Sequence, residues 1–151
     1  MSIKTWISAG VLLWAACAHA AESERFLSKL ALPTGQTVVV AEGDFEARSI
    51  GSFSVRLYEA AAAPDETTFF TAGVVRARDG VIERVMLADV DGDKRQEVVV
   101  IVRSVGTGDY LSAHAFAVTK HKLSDRGTVT GLAARADPVK ALRRSWAKRP
   151  A

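Results

Sequence analysis

The chain has 151 residues, of which 48% are hydrophobic and 25% are charged, and its formal net charge at pH 7 is +3. This length suits one domain with a hydrophobic core of its own. Cys17 is the only cysteine, which excludes a fold held together by intramolecular disulfides.

The first 20 residues have the features of a secretory signal peptide. A lysine supplies the positive charge, residues 6–16 are mostly apolar, and Ala18 and Ala20 occupy the two positions that a signal peptidase reads. The apolar run is too short to span a membrane, so we expect no membrane insertion. We predict cleavage after Ala20 and an exported single domain of residues 21–151. A lipoprotein signal that retains Cys17 is the alternative.

Short apolar segments separated by turn residues are typical of strands and dominate the rest of the chain. Residues 67–119 predict a four-stranded antiparallel meander in which Asp79 and Gly80 form a two-residue hairpin turn. The apolar run at residues 97–102 does not alternate, which indicates a central strand covered on both faces. The predicted strands are residues 26–31, 37–42, 53–58, 67–78, 81–88, 97–102 and 110–119. We therefore predict an all-β antiparallel sandwich or flattened barrel of seven or eight strands.

The C-terminal segment has a helical pattern. Asp137 is a candidate N-cap, Pro138 suits the first helical position, and apolar residues follow at helical spacing as far as Trp146. We predict a short amphipathic helix over residues 138–148, docked by Trp146. Residues 132–151 carry six basic residues and one acidic residue, but they lack the interleaved aromatics of a stacking surface. We therefore expect no nucleic-acid partner.

Asp89, Asp91, Asp93 and Glu97 follow the spacing of a calcium loop, with oxygen ligands at alternate positions and a later acid. Lys94 stands where such a loop requires glycine, and an arginine follows it. The other interpretation is a hairpin turn built from aspartate and glycine. One hypothesis is therefore a calcium-stabilised extracytoplasmic binding module without inhibitory activity.

His114 lies on a predicted strand face with apolar residues, where a lone histidine is typically a packed side chain. A hydrolase that uses His114 is an alternative, but the sequence contains neither a nucleophile elbow nor a metal-binding motif. We predict no catalytic residue and no cofactor.

The segment between the last two predicted strands is the main candidate site. Two residues could join these strands, whereas this loop is longer and rich in glycine and hydroxyl groups. Such a loop on a rigid scaffold is typical of a binding site, although its glycines could simply shape a wide hairpin. The candidate binding residues are Ser104, Gly106, Thr107, Gly108, Asp109 and Tyr110.

Four adjoining features carry a family resemblance: the acidic turn at residues 89–93, the valine-rich strand, the loop at residues 104–110, and Ser-Ala-His-Ala-Phe at residues 112–116. Together they resemble the periplasmic inhibitors of invertebrate-type lysozyme, which are exported β-sandwich proteins. In that family a Ser-Gly-x-Tyr loop enters the lysozyme cleft. The matching stretch here is Thr-Gly-Asp-Tyr at residues 107–110. Threonine keeps the hydroxyl of the family serine but adds a methyl group.

The resemblance implies a periplasmic lysozyme inhibitor that is not an enzyme, with an invertebrate-type lysozyme as its partner. Thr107 and Tyr110 would donate hydrogen bonds to the catalytic carboxyl groups, and Gly108 would let the backbone approach. Ser104 is an alternative hydroxyl. Asp109 must face a basic rim or solvent, because it would repel those carboxyl groups. Long antiparallel edges also allow a homodimer.

Overall fold

The computed structural model describes residues 24–63 and 67–149. Within these ranges the chain forms eight strands and one helix. The elements are β1 (Leu27–Ala31), β2 (Thr37–Glu42), β3 (Ile50–Tyr58), β4 (Phe70–Asp79), β5 (Val81–Ala88), β6 (Glu97–Arg103), β7 (Leu111–Thr119), β8 (Lys122–Leu132) and α1 (Pro138–Ala147). The predicted signal peptide and its cleavage site lie outside the described residues.

The strands form two four-stranded antiparallel sheets, one in the order β1-β2-β3-β4 and the other in the order β5-β6-β7-β8. Alternate apolar side chains of both sheets meet in one core, as period-two patterning requires. The fully buried members of this core are Val38, Val40, Phe53, Val55, Leu57, Val98, Val100 and Phe116. The predicted antiparallel sandwich with a short C-terminal helix is confirmed.

The predicted hairpin at Asp79 and Gly80 is wrong. Strand β4 pairs with β3, and β5 pairs with β6, so the chain passes between the two sheets at this point. Of the two turn residues, Gly80 alone has a positive φ, of 122°, and a Cβ there would overlap the carbonyl group of Arg103. An Asp-Gly pair specifies a tight turn, but it does not determine whether the flanking strands pair with each other.

Strand β8 was not among the predicted strands. It pairs with β7 at the edge of the second sheet, and only Leu123 and Gly127 along its length are buried. Its sequence is mainly polar and contains two glycines, so it lacks the apolar alternation by which a half-buried strand is recognised. Pairing with β7 provides its hydrogen bonds instead.

Strand β6 is covered on both faces, as predicted. Val99 and Ile101 point away from the sandwich core and form a second apolar cluster with Leu142 of α1. Asp137 caps this helix by accepting a hydrogen bond from the backbone N–H of Lys140, at 3.0 Å. Burial of Leu142 in this cluster therefore docks the helix onto the outer face of the second sheet, where it lies nearest to β8 and β7.

Trp146 is partly buried, and Leu142 is the side chain that α1 buries fully in the second apolar cluster. Its ring lies 4.5 Å from the Arg149 guanidinium and 5.5 Å from that of Arg126. Across the described ranges, no helix has the length and apolar character needed to cross a membrane.

Candidate functional site

The loop at residues 104–110 connects β6 to β7 at one end of the sandwich. Strand pairing stops at Arg103 and Leu111, and the Ser104 N–H then donates to the Tyr110 carbonyl oxygen at 2.9 Å. A turn within the loop is closed by the Asp109 N–H and the Gly106 carbonyl oxygen, 3.2 Å apart. All residues from 105 to 110 are exposed, so the loop projects from the scaffold.

The ring of Tyr110 lies against the backbone of Gly108. A Cβ at this glycine would overlap the ring, so any other residue would displace the tyrosine. The tyrosine is nevertheless 55% exposed, and the neighbouring Thr107 is exposed as well. The glycine therefore lets an exposed aromatic ring lie close to the loop backbone, and the exposed Thr107 hydroxyl belongs to the same loop.

Arg103 lies at the base of the loop and holds its backbone by a hydrogen bond. Its Nη1 donates to the carbonyl oxygen of Asp109 at 3.1 Å, and its Nε donates to Oε2 of Glu83 at 2.5 Å. Asp109 has a φ of 52°, in the left-handed region that aspartate tolerates better than most residues. Its carboxylate Oδ2 lies 3.9 Å from Arg103 Nη1. The acid thus faces a cation of its own chain.

Sequence reasoning did not identify the contribution of Glu83. Strand β5 has a register shift between Ile82 and Arg84, so Glu83 is the extra residue of a β-bulge. The bulge places this glutamate beside the arginine at the base of the loop. A bulge of this kind follows from strand pairing, and the residue pattern of the chain gave no sign of it.

Ser104 differs from the other candidate residues. Its hydroxyl Oγ is buried and has no hydrogen-bond partner in the part of the chain that the structure describes. The serine therefore belongs to the base of the loop, whereas Gly106, Thr107, Gly108, Asp109 and Tyr110 form its exposed part.

A buried ion pair lies close to the loop base. Both side chains are fully buried, and Arg78 Nη1 lies 3.8 Å from Glu42 Oε1. Arg78 also donates to the carbonyl oxygens of Gly80 and Arg48. Glu42 Oε1 accepts the N–H of Ile82 at 2.9 Å, which ties the first sheet to the second. The pair therefore fixes the corner against which the loop base packs.

The connection between β5 and β6, residues 89–96, contains the acidic turn. It lies at the end of the second sheet opposite the loop at residues 104–110. Carboxylate oxygens of Asp89, Asp91 and Glu97 come within 4.8 Å of one another. Asp93 does not join them, because Arg95 holds its Oδ2 at 2.6 Å. The predicted set of four acids is therefore reduced to three.

Most of the turn's carboxylate oxygens already have partners. Asp89 accepts the N–H groups of Gly92 and Lys94, at 2.7 and 3.1 Å. Arg126 Nε lies 3.5 Å from Asp91 Oδ2. Burial, together with the neighbouring aspartates, raises the pKa of Glu97. These contacts match those of a hairpin turn built from aspartate and glycine.

His114 is packed beside the core. Its ring lies 5.1 Å from that of Phe53, and its Nδ1 is 3.1 Å from the Thr128 hydroxyl. Burial lowers its pKa, and nearby Arg76 lowers it further against the opposing effect of Asp125. This environment is that of a neutral packed side chain.

Comparison with known proteins places this architecture in a family. The family model described as periplasmic lysozyme inhibitor of I-type lysozyme matches residues 24–146. The crystal structure of such an inhibitor, PliI from Aeromonas hydrophila, is 43% identical with a TM-score of 0.73, covering 78% of this chain and 98% of that one. The same inhibitor in complex with Meretrix lusoria lysozyme is 43% identical with a TM-score of 0.72, covering 78% and 95%. No curated protein matches this chain. The chain belongs to the family of periplasmic inhibitors of I-type lysozyme.

Proposed function

We propose that this protein inhibits an invertebrate-type lysozyme in the periplasm by inserting the loop at residues 104–110 into the active-site cleft. The single observation that carries this proposal is the exposed and internally braced loop, in a member of a lysozyme-inhibitor family. Such bracing supports tight binding, because little conformational freedom remains to be lost on association.

The chemistry of the loop suits a cleft that contains carboxyl groups. Lysozymes cleave the glycosidic bond with acidic residues that flank it. The hydroxyls of Thr107 and Tyr110 can donate hydrogen bonds to those groups, and bonds to a charged acceptor are stronger than neutral ones. The Arg103 guanidinium offsets the negative charge of Asp109. Occupation of the cleft then excludes the peptidoglycan strand.

The protein would act by this occupation alone and would not be an enzyme.

We also propose that the mature chain begins after Ala20, which the mass of protein purified from the periplasm would test. Homodimer formation stays a prediction.

The decisive test is a titration of lytic activity with purified mature protein, using invertebrate-type, chicken-type and goose-type lysozymes. We expect stoichiometric inhibition of the invertebrate type. Tyr110→Phe should weaken inhibition by removing one hydroxyl, and Tyr110→Ala should abolish it with little change in melting temperature. The matched control is Tyr58→Phe, at the only other tyrosine, which lies in β3. Equal inhibition by wild type and Tyr110→Ala would refute insertion of this loop.

A further inference from the structure

A second loop at the same end of the sandwich presents a fully exposed aromatic residue. The loop at residues 43–49 joins β2 to β3, and the Phe45 side chain is completely exposed. Its φ is 60°, in the left-handed region where a bulky side chain is a true outlier. Neither the exposure nor the backbone conformation stabilises the fold. Backbone strain of this kind is concentrated at functional sites.

The backbone around Phe45 is held firmly in place. Arg25 Nη2 donates to the carbonyl oxygen of Glu46 at 2.7 Å. The buried Arg78 donates to the carbonyl oxygens of Ala47, at 3.1 Å, and Arg48, at 2.7 Å. The phenylalanine is therefore presented by a pre-organised loop, which reduces the entropy that a partner must overcome.

A groove of about 600 Å³ lies beside this phenylalanine. Phe26 and Leu27 contribute apolar surface to it, and Leu27 is 65% exposed. Arg25 and Arg56 also line the groove. Each has one buried guanidinium nitrogen, Arg25 Nη1 and Arg56 Nε, without a hydrogen-bond partner among residues 24–63 and 67–149. Apolar walls next to two guanidinium groups suit an apolar side chain that is flanked by a carboxylate.

The groove also has acidic groups, because Glu24 and Asp44 belong to its lining. A partner surface must therefore present both signs of charge. A protein rim with alternating acidic and basic side chains meets this requirement, whereas a purely anionic ligand does not.

The loop at residues 43–49 adjoins the base of the loop at residues 104–110. The Ser49 carbonyl oxygen accepts the N–H of Gly80 at 2.8 Å. Gly80 in turn packs directly against the backbone of Arg103 and Ser104. A single glycine thus separates the two loops at their bases. A lysozyme that holds the first loop in its cleft would bring the rim of that cleft towards the second.

We propose that Phe45 and the adjoining groove form a second contact site for the same invertebrate-type lysozyme. The phenylalanine packs on the rim of the cleft, and the groove receives an apolar side chain of the enzyme with a neighbouring carboxylate on Arg25 and Arg56. This inference rests on the proposed function and adds to it a second site of energetic importance.

The test compares two exposed phenylalanines in binding to an invertebrate-type lysozyme. Phe45→Ala should weaken affinity on the order of tenfold to a hundredfold, as truncation of an aromatic anchor does, mainly through faster dissociation. Phe69→Ala is the matched control, because Phe69 is 70% exposed and lies just before β4, at the opposite end of that strand from Gly80. The control should bind as wild type does.

Glycine at position 45 separates binding from folding. Phe45→Gly should lose the same affinity, yet its melting temperature should not fall, because glycine adopts the left-handed conformation without steric cost. Arg56→Met should weaken lysozyme binding less than Phe45→Ala does. It should also make the binding affinity less dependent on salt concentration. Unchanged binding by Arg56→Met would refute the carboxylate part of the proposal.

Two outcomes would overturn the proposal while leaving loop insertion intact. One is wild-type affinity in Phe45→Ala when Tyr110→Ala no longer inhibits. The other is a change in the oligomeric mass of Phe45→Ala without a change in lysozyme affinity, which would assign this surface to contacts between copies of the chain. Absence of inhibition by the wild-type protein would instead refute the proposed function itself.

Discussion

The Nε of Arg103 lies 2.5 Å from Oε2 of Glu83, in an ion pair between β6 and β5 directly beneath the candidate binding loop. The same guanidinium donates to the carbonyl oxygen of Asp109, which lies within that loop. One arginine therefore connects a β-bulge in the scaffold to the conformation of an exposed loop, although the bulge is distant from the loop in sequence.

We expect Arg103→Gln to weaken lysozyme inhibition more than it weakens the fold. A partly exposed ion pair contributes only about 0.2–1 kcal/mol to stability, so the melting temperature should change little. Loss of the donor to Asp109 would release the left-handed backbone there and disturb the presentation of the loop. The inhibition constant and the melting temperature together test this expectation.

The control for Arg103→Gln is Arg95→Gln, which breaks the pair with Asp93 at the other end of the sheet. This variant should inhibit as wild type does. If both variants inhibit equally well, Arg103 has no role in positioning the loop.

Two glycines of the loop should respond differently to alanine. Gly108→Ala would displace the Tyr110 ring and should strongly reduce inhibition. A Cβ added at Gly106 would have no atom within 4 Å, and Gly106 has no positive φ. Gly106→Ala should therefore leave the Tyr110 ring in place, and it should leave the free energy of unfolding unchanged or raise it by about 0.4–1 kcal/mol. Inhibition titrations of both variants measure the difference, and equal inhibition would show that the tyrosine position does not matter.

Gly80→Ala should destabilise the whole fold. The positive φ adds about 1–3 kcal/mol of backbone strain, and overlap with the Arg103 carbonyl adds about as much again. Denaturant unfolding gives the free energy, with Gly92→Ala as the control for strain alone, because Gly92 has a φ of 85° and open space around it. A loss no larger than that of the control would contradict the close packing at this corner.

The calcium hypothesis can be tested by thermal unfolding with calcium and with a chelator. We expect no shift, because the carboxylates of the turn already accept backbone N–H groups and Arg126 lies beside Asp91. A site occupied at a hundred times its dissociation constant would instead add about 2.7 kcal/mol of stability. A calcium-dependent rise in melting temperature that disappears in Glu97→Gln would establish the metal site.

His114 should make stability dependent on pH. Burial lowers its pKa below the usual value of 6.5, so the folded state favours the neutral ring. This contribution is complete above pH 6.5 and is lost as the pH falls through 6.5 towards the folded-state pKa. The melting temperature of the wild type should therefore fall relative to that of His114→Gln as the pH falls from 7.5 to 5.

Several features followed from the sequence alone because their causes are local. The apolar run at residues 97–102 indicated a strand covered on both faces, and Asp137 with Pro138 marked the start of the helix. The glycines, hydroxyls and tyrosine of the loop at residues 104–110 indicated an exposed site and carried the family resemblance. Each of these signals depends on neighbouring residues, whose spacing is visible in the chain itself.

The tertiary structure alone decided which strands pair and which distant side chains meet. The sequence at Asp79 and Gly80 specifies a turn, but the pairing of β4 with β3 and of β5 with β6 takes the chain into the second sheet there. Likewise, the ion pair of Glu83 with Arg103 and the hydrogen bonds from Arg78 to the loop that carries Phe45 join residues far apart in sequence. Such contacts arise from the register and packing of whole sheets, and local residue patterns do not encode them.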